Sequence, residues 1–178
     1  MKSALILPGW YQKPESNWYP WLKTELKTRE YDVFLPDLPT IHTDLPDMKE
    51  MMREIEYEFE SDNQTVVIGH SLGCLLGMQL AEKHMFQTLI LVAGWDFNDL
   101  TAEHRLFWDE PIDHETIKQN NHTIYCISSD NDPYFTADTV ESMARRLSAE
   151  YILVPGAGHF TEQYGITQIP ELLKTLTP

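Results

Sequence analysis

The chain is short of positive charge. Its 178 residues carry 13 Lys and Arg against 28 Asp and Glu, a net charge of −15. An acidic field repels phosphate backbones and anionic lipid headgroups, so neither nucleic acid nor a membrane surface is an expected partner. Strongly anionic substrates are disfavoured too, unless a local basic pocket overrides that field. Cysteine is scarce: Cys74 and Cys126 fall in stretches expected to be core. They read as buried free thiols, which excludes a disulfide framework and points to a reducing, cytoplasmic location. Neither has metal-ligand spacing to other Cys or His residues. No apolar run approaches the roughly twenty residues of a membrane-spanning helix. The run Ser3 to Leu7 ends at Pro8-Gly9, too short for the apolar region of a signal peptide. Repeats and low-complexity tracts are absent, and the 11 prolines are scattered at element ends rather than gathered into a linker. The length fits one domain, residues 1–178, with a sizeable core.

What is present is a regular alternation. Short apolar runs bounded by Pro, Gly or Asp lie at Ala4–Leu7, Asp32–Leu35, Thr65–Ile68, Thr88–Val92, Thr123–Ile127 and Tyr151–Val154. Continuous apolar runs of this length fit strands covered on both faces, as in a parallel sheet. Helical patterns lie between them, at about Trp18–Arg29, Asp47–Phe59, Leu72–His84, Ala137–Leu147 and Ile169–Thr175, with Thr136 placed to cap the fourth. The expectation is an α/β fold, a doubly wound, mostly parallel six-stranded sheet in three αβα layers. In such sheets ligands bind beyond the carboxyl ends of the strands. Gly94–Asn121 is the least regular segment. It is either a small cap over the site or a loop with one or two short helices that packs its aromatics on the core.

The most informative stretch is Thr65-Val66-Val67-Ile68-Gly69-His70-Ser71-Leu72-Gly73-Cys74. A β-branched run enters Gly-x-Ser-x-Gly and a helical pattern leaves it, the sequence form of a nucleophile elbow. Gly69 and Gly73 stand where side chains would clash in so sharp a turn. Ser71 is the expected nucleophile, and the Leu72 N–H at the helix start is an expected oxyanion donor.

A serine hydroxyl needs a base, and the base an orienting carboxylate. On this fold they follow in the order Ser, acid, His. The acid lies in Ser128-Ser129-Asp130-Asn131-Asp132-Pro133-Tyr134, after the fifth strand. Asp132 is preferred because Pro133 restricts its backbone; Asp130 reads as a turn residue. His159, in Gly156-Ala157-Gly158-His159-Phe160 after the last strand, is the expected base. His70 adjoins Ser71 but points away from the elbow. The second oxyanion donor belongs to Pro8-Gly9-Trp10-Tyr11, with Trp10 ahead of Tyr11. Trp10, Tyr11, Trp18, Trp95 and Trp108 read either as a rim for a small apolar acyl or alcohol group or as core.

Together these residues make the chain resemble the small α/β-hydrolases of the YdeN and retinoblastoma-binding-protein type. The marks are Leu7-Pro8-Gly9, Asn17-Trp18-Tyr19-Pro20-Trp21-Leu22, Leu35-Pro36-Asp37-Leu38-Pro39, Gly69-His70-Ser71-Leu72-Gly73, Ser129-Asp130-Asn131-Asp132-Pro133-Tyr134 and Gly158-His159-Phe160. The resemblance implies a compact core without a large lid and without the superfold's leading antiparallel strands. It also implies a triad of Ser71, Asp132 and His159 and a serine hydrolase activity of undefined natural substrate. A pocket-protein interaction through Leu-x-Cys-x-Glu does not carry over, because Leu72-Gly73-Cys74-Leu75-Leu76 lacks the Glu; any protein partner is unknown. The expected reaction is hydrolysis of an ester, thioester or activated amide of a small-molecule acyl substrate, with no metal or organic cofactor. The alternatives are a hydrolase-fold binding protein and an acyltransferase with the same triad.

Overall fold

A computed structural model describes residues 2–108 and 110–176. The elements run in chain order as β1 (Ser3–Leu7), α1 (Tyr19–Thr28), β2 (Asp32–Phe34), α2 (Met48–Glu58), β3 (Val66–His70), α3 (Leu72–Lys83), β4 (Phe86–Val92), α4 (His114–Asn120), β5 (Asn121–Ser128), α5 (Ala137–Leu147), β6 (Glu150–Leu153) and α6 (Pro170–Lys174). All six expected strands form, and the expected helices agree to within one or two residues. The helix starts follow local chemistry. Asp47 caps α2 by accepting the Glu50 N–H at 3.1 Å, Thr136 caps α5 by accepting the Thr139 N–H at 3.3 Å, and Pro20 sits in the first turn of α1.

The sheet order is β2-β1-β3-β4-β5-β6, with every neighbouring pair parallel. The period-two alternation of side chains divides the apolar strands between two cores. Ala4, Ile6, Val66, Ile68, Ile90 and Val92 pack on one face with residues of α1 and α6. Leu5, Leu7, Val67, Leu89 and Leu91 pack on the other with α2, α3, α4 and α5. That is the three-layer αβα arrangement. The chain steps from β1 out to β2 and then back past β1 to β3. The winding therefore reverses between β1 and β3, and a crevice opens at their carboxyl ends.

The described residues of Gly94–Asn121 include a 3-10 turn, Arg105–Phe107, and α4; Asp109 lies outside the described residues. Trp95 and Phe107 are buried in the core. Phe97 is exposed, so the segment packs only part of its aromatics inward, and no large lid insertion is seen. Cys74 and Cys126 are free and buried, and burial raises the pKa of both thiols. Leu72 and Leu76 are also buried, so the Leu-x-Cys segment presents no docking surface.

Candidate active site

Five loops build the site, those that leave β1, β3, β4, β5 and β6. The β3 loop is the elbow. Ser71 has φ 53° and ψ −119°, and its N–H donates to the Val92 carbonyl at 2.9 Å. A serine held at positive φ is strained, at a cost of about 1–3 kcal/mol. The turn is possible only because of its glycines. A Cβ on Gly69 would lie 2.5 Å from the Gly73 carbonyl oxygen, and one on Gly73 would lie 2.2 Å from that of Leu7. Ser71 stands at the cap position of α3 yet makes no side-chain capping bond, which leaves its hydroxyl for other partners.

That hydroxyl lies 2.8 Å from His159 Nε2, and His159 Nδ1 lies 2.8 Å from Asp132 Oδ2. A carboxylate only accepts, so Nδ1–H donates to Asp132 and Nε2 accepts the serine proton. The second oxygen of Asp132 accepts the N–H groups of Tyr134 at 2.8 Å and Phe135 at 3.3 Å, so neither oxygen is left to rotate. Side-chain exposure is 10% for His159 and 1% for Asp132. The pair is dry enough to keep its geometry, while the imidazole edge still faces a cavity.

The loops after β5 and β6 are laced together. The N–H of Gly156 donates to Asp130 Oδ1 at 2.7 Å, that of Ala157 to Ser129 Oγ at 2.9 Å, and that of Gly158 to Asn131 Oδ1 at 2.7 Å. Asp130 thus serves the histidine loop rather than its own turn. Gly156 and Gly158 both have positive φ, which lets three consecutive amides face these acceptors.

Across Gly9–Gln12, in the loop after β1, one main-chain N–H is free among the described residues. The Gly9 N–H bonds the Tyr19 hydroxyl, the Tyr11 N–H bonds the Ile41 carbonyl, and the Gln12 N–H bonds the Gly9 carbonyl. The Trp10 N–H has no acceptor among the described residues. The same holds for the Leu72 N–H, which opens α3.

A cavity of about 450 Å³ adjoins Ser71 and His159. Trp10, Trp95, Tyr134, Phe135 and Tyr164 form an aromatic wall, and Gln12, Ser16, Asn17, Thr161, Glu162 and Gln163 a polar one. Among the described residues, no Lys or Arg lines it. Asn17 and Glu162 clasp each other across the chain: the Asn17 N–H donates to Glu162 Oε1 at 3.0 Å, and the Glu162 N–H to Asn17 Oδ1 at 2.9 Å. Of the five aromatics considered for the rim, Trp10 and Trp95 are there. Trp18 is core beneath α1, Trp108 packs against the other core, and Tyr11 turns outward to donate its hydroxyl to Asp44 at 2.6 Å. His104 also lines the cavity, and sequence reasoning missed it. The available signal was Asp99, five residues away, which takes His104 Nδ1 at 2.6 Å.

A parallel, doubly wound sheet that sets a hydroxyl, an imidazole and a carboxylate in line at its carboxyl edge is the architecture of an α/β-hydrolase. The chain belongs to the serine hydrolase family, whose profile matches residues 4–178. It is 28% identical to the serine hydrolase RBBP9 of Rattus norvegicus over 97% of this chain and 92% of that one. It is 25% identical to the YdeN protein of Bacillus subtilis over 99% and 95%. The crystal structure of the B. subtilis ydeN gene product superposes with a TM-score of 0.88 at 22% identity, covering 99% of this chain and 97% of that one. Est1E from Butyrivibrio proteoclasticus, solved with ferulic acid bound, shares the fold at a TM-score of 0.74 and 13% identity, covering 98% and 86%.

Proposed function

We propose that the protein hydrolyses an ester, thioester or activated amide of a small substrate through an acyl-enzyme, with Ser71, His159 and Asp132 as its triad. The single observation that carries this reading is the unbroken chain from Ser71 Oγ through His159 to the buried Asp132. Ser71 attacks the carbonyl carbon while His159 Nε2 takes the hydroxyl proton. Asp132 keeps the proton on Nδ1 and stabilises the imidazolium. The Leu72 and Trp10 N–H groups bind the oxyanion; losing one such donor typically costs ~10²–10³ in rate. His159 then protonates the leaving alcohol, thiol or amine. Water enters, gives its proton to His159 and attacks the acyl carbon, and Ser71 leaves with that proton as the acid is released. The triad side chains and these two main-chain N–H groups handle every proton and charge, so the scheme calls on no metal or organic cofactor.

The cavity supports a small acyl or alcohol group of low polarity. Its aromatic wall offers apolar area, its size suits a substrate well below lipid length, and the absence of Lys and Arg from its lining leaves a carboxylate or phosphate without a counter-charge. Fluorophosphonate labelling with mass spectrometry tests the proposal. A covalent adduct on Ser71, absent from Ser71→Ala, is expected. A folded wild-type protein that takes no adduct would refute it.

A further inference from the structure

A second histidine lies under the elbow, fully enclosed. His70 ends β3, and its Nε2–H donates to the main-chain carbonyl of His159 at 2.9 Å. Its Nδ1 meets the Tyr19 hydroxyl at 2.5 Å, and the Tyr19 oxygen takes the Gly9 N–H at 3.1 Å. Each direction is forced. The carbonyl only accepts, so the proton sits on Nε2. The Nδ1 lone pair then takes the Tyr19 proton, and the Tyr19 oxygen is left to accept from Gly9. Burial first, and the neighbouring His159 second, lower the His70 pKa to about 3. Burial raises that of Tyr19. Both side chains are therefore neutral at working pH, and the chain of three hydrogen bonds has one polarity.

The two ends of this chain are what single it out. One is the loop after β1. There the Gly9 N–H is held by Tyr19 and the Gly9 carbonyl by the Gln12 N–H at 3.0 Å. The Gly9 carbonyl and the Trp10 N–H belong to one planar peptide unit, so fixing the first aims the second. The other end is the main chain of His159, the proposed base. Trp18 packs edge-on against both His70 and Tyr19, which blocks rotation of either ring. Two polar side chains buried merely to fill space would cost more than an apolar pair. Here they bond to each other and to the main chain of the two loops that flank Ser71.

We propose that His70 and Tyr19 are positioning residues that hold the Trp10 N–H and the His159 imidazole in fixed relation to the Ser71 hydroxyl. This rests on the hydrolase reading above. It also gives His70 a reason to stay neutral. His159 becomes a cation in every turnover, with its ring centroid 5.4 Å from that of His70, and a second cation there would oppose it.

The test compares Tyr19→Phe, His70→Phe and His70→Gln with wild type. It uses a nitrophenyl ester and fluorophosphonate labelling, at a temperature well below each melting point. Misplacement of reacting groups by about 1 Å can cost ~10²-fold. Tyr19→Phe and His70→Phe are expected to lower kcat by roughly 10- to 100-fold with KM within about twofold, and to slow labelling in proportion. His70→Gln keeps a donor near the Nε2 position and is expected to recover most of the rate. Nitrogen NMR of the wild-type imidazoles should show the His70 proton on Nε2. Variants that melt earlier but keep kcat when folded would overturn the proposal and leave a brace of the fold; so would a His70 proton on Nδ1. Wild-type protein that neither labels nor turns over would remove the hydrolase reading and this proposal together.

Discussion

Two histidine–carboxylate pairs face the same cavity and differ in everything that surrounds them. His159–Asp132 joins at 2.8 Å and His104–Asp99 at 2.6 Å, with side-chain exposures of 10% and 1% against 13% and 14%. By length and burial alone either could be a base. But His159 presents Nε2 to the Ser71 hydroxyl, whereas His104 Nε2 is buried without a partner among the described residues. The His104 ring is wedged between Trp10 and Trp95, at 5.2 and 5.3 Å. Their supports differ as well. Asp132 and His159 come from different loops that three side chains lace together, while Asp99 and His104 belong to one loop. Burial opposes ionisation of Asp99, but bonds from His104 and Thr101 outweigh it and lower its pKa. What the contrast teaches is that a carboxylate-bound imidazole becomes a base through what meets its far nitrogen. The second pair is part of a wall.

The sharpest way to break this comparison is to damage both carboxylates alike. Asp132→Asn should lower kcat/KM on an activated ester by about 10³–10⁴, because a carboxamide favours the wrong imidazole tautomer. Asp99→Asn should cost less than about fivefold, being outside the reacting set. Equal losses would end the distinction. Asn131→Ala tests the lacing. It strips the acceptor from the Gly158 N–H, and should lower kcat by about tenfold and stability by roughly 1–3 kcal/mol, read by denaturant titration. His104→Phe keeps the aromatic wall and removes its one imidazole. We expect kcat within about twofold and a KM change of a few-fold that depends on the acyl group, measured over a series of nitrophenyl esters.

A pH dependence separates His70 from both pairs. Its pKa is about 3 in the folded chain, below the ordinary histidine value of 6.5, so on acidification the unfolded chain takes the proton first. Its contribution to stability is complete above pH 6.5 and is lost as the pH falls toward 3, by roughly 1 kcal/mol per pH unit. His70→Gln should show a shallower loss over that window in denaturant titrations. An unchanged slope would mean that His70 does not stay neutral in the fold.

The sheet was legible because both its faces are apolar, which turns strands into short continuous runs. The elbow was legible because one five-residue pattern needs a strand before it and a helix after it, and both signals are there. That Asp132 and His159 would meet near Ser71 could be anticipated from Pro133, the glycines and the chain order. The lacing by Ser129, Asp130 and Asn131 could not. Its acceptors reach amides 26 to 28 residues away, and only the pairing of β5 with β6 makes them neighbours. Trp18 and Tyr19 read as rim or family mark for a similar reason: nothing local says that the start of α1 lies beneath the elbow. Trp95 and His104 fall in the segment with the weakest periodicity, where side-chain direction depends on packing rather than on spacing.

The backbone at Ser71 has a consequence for how this molecule varies under selection. Its positive φ suits glycine better than any residue with a side chain, so Ser71→Gly should yield a protein that is inert yet harder to unfold. Under the proposed mechanism, drift toward stability and selection for turnover would pull position 71 in opposite directions.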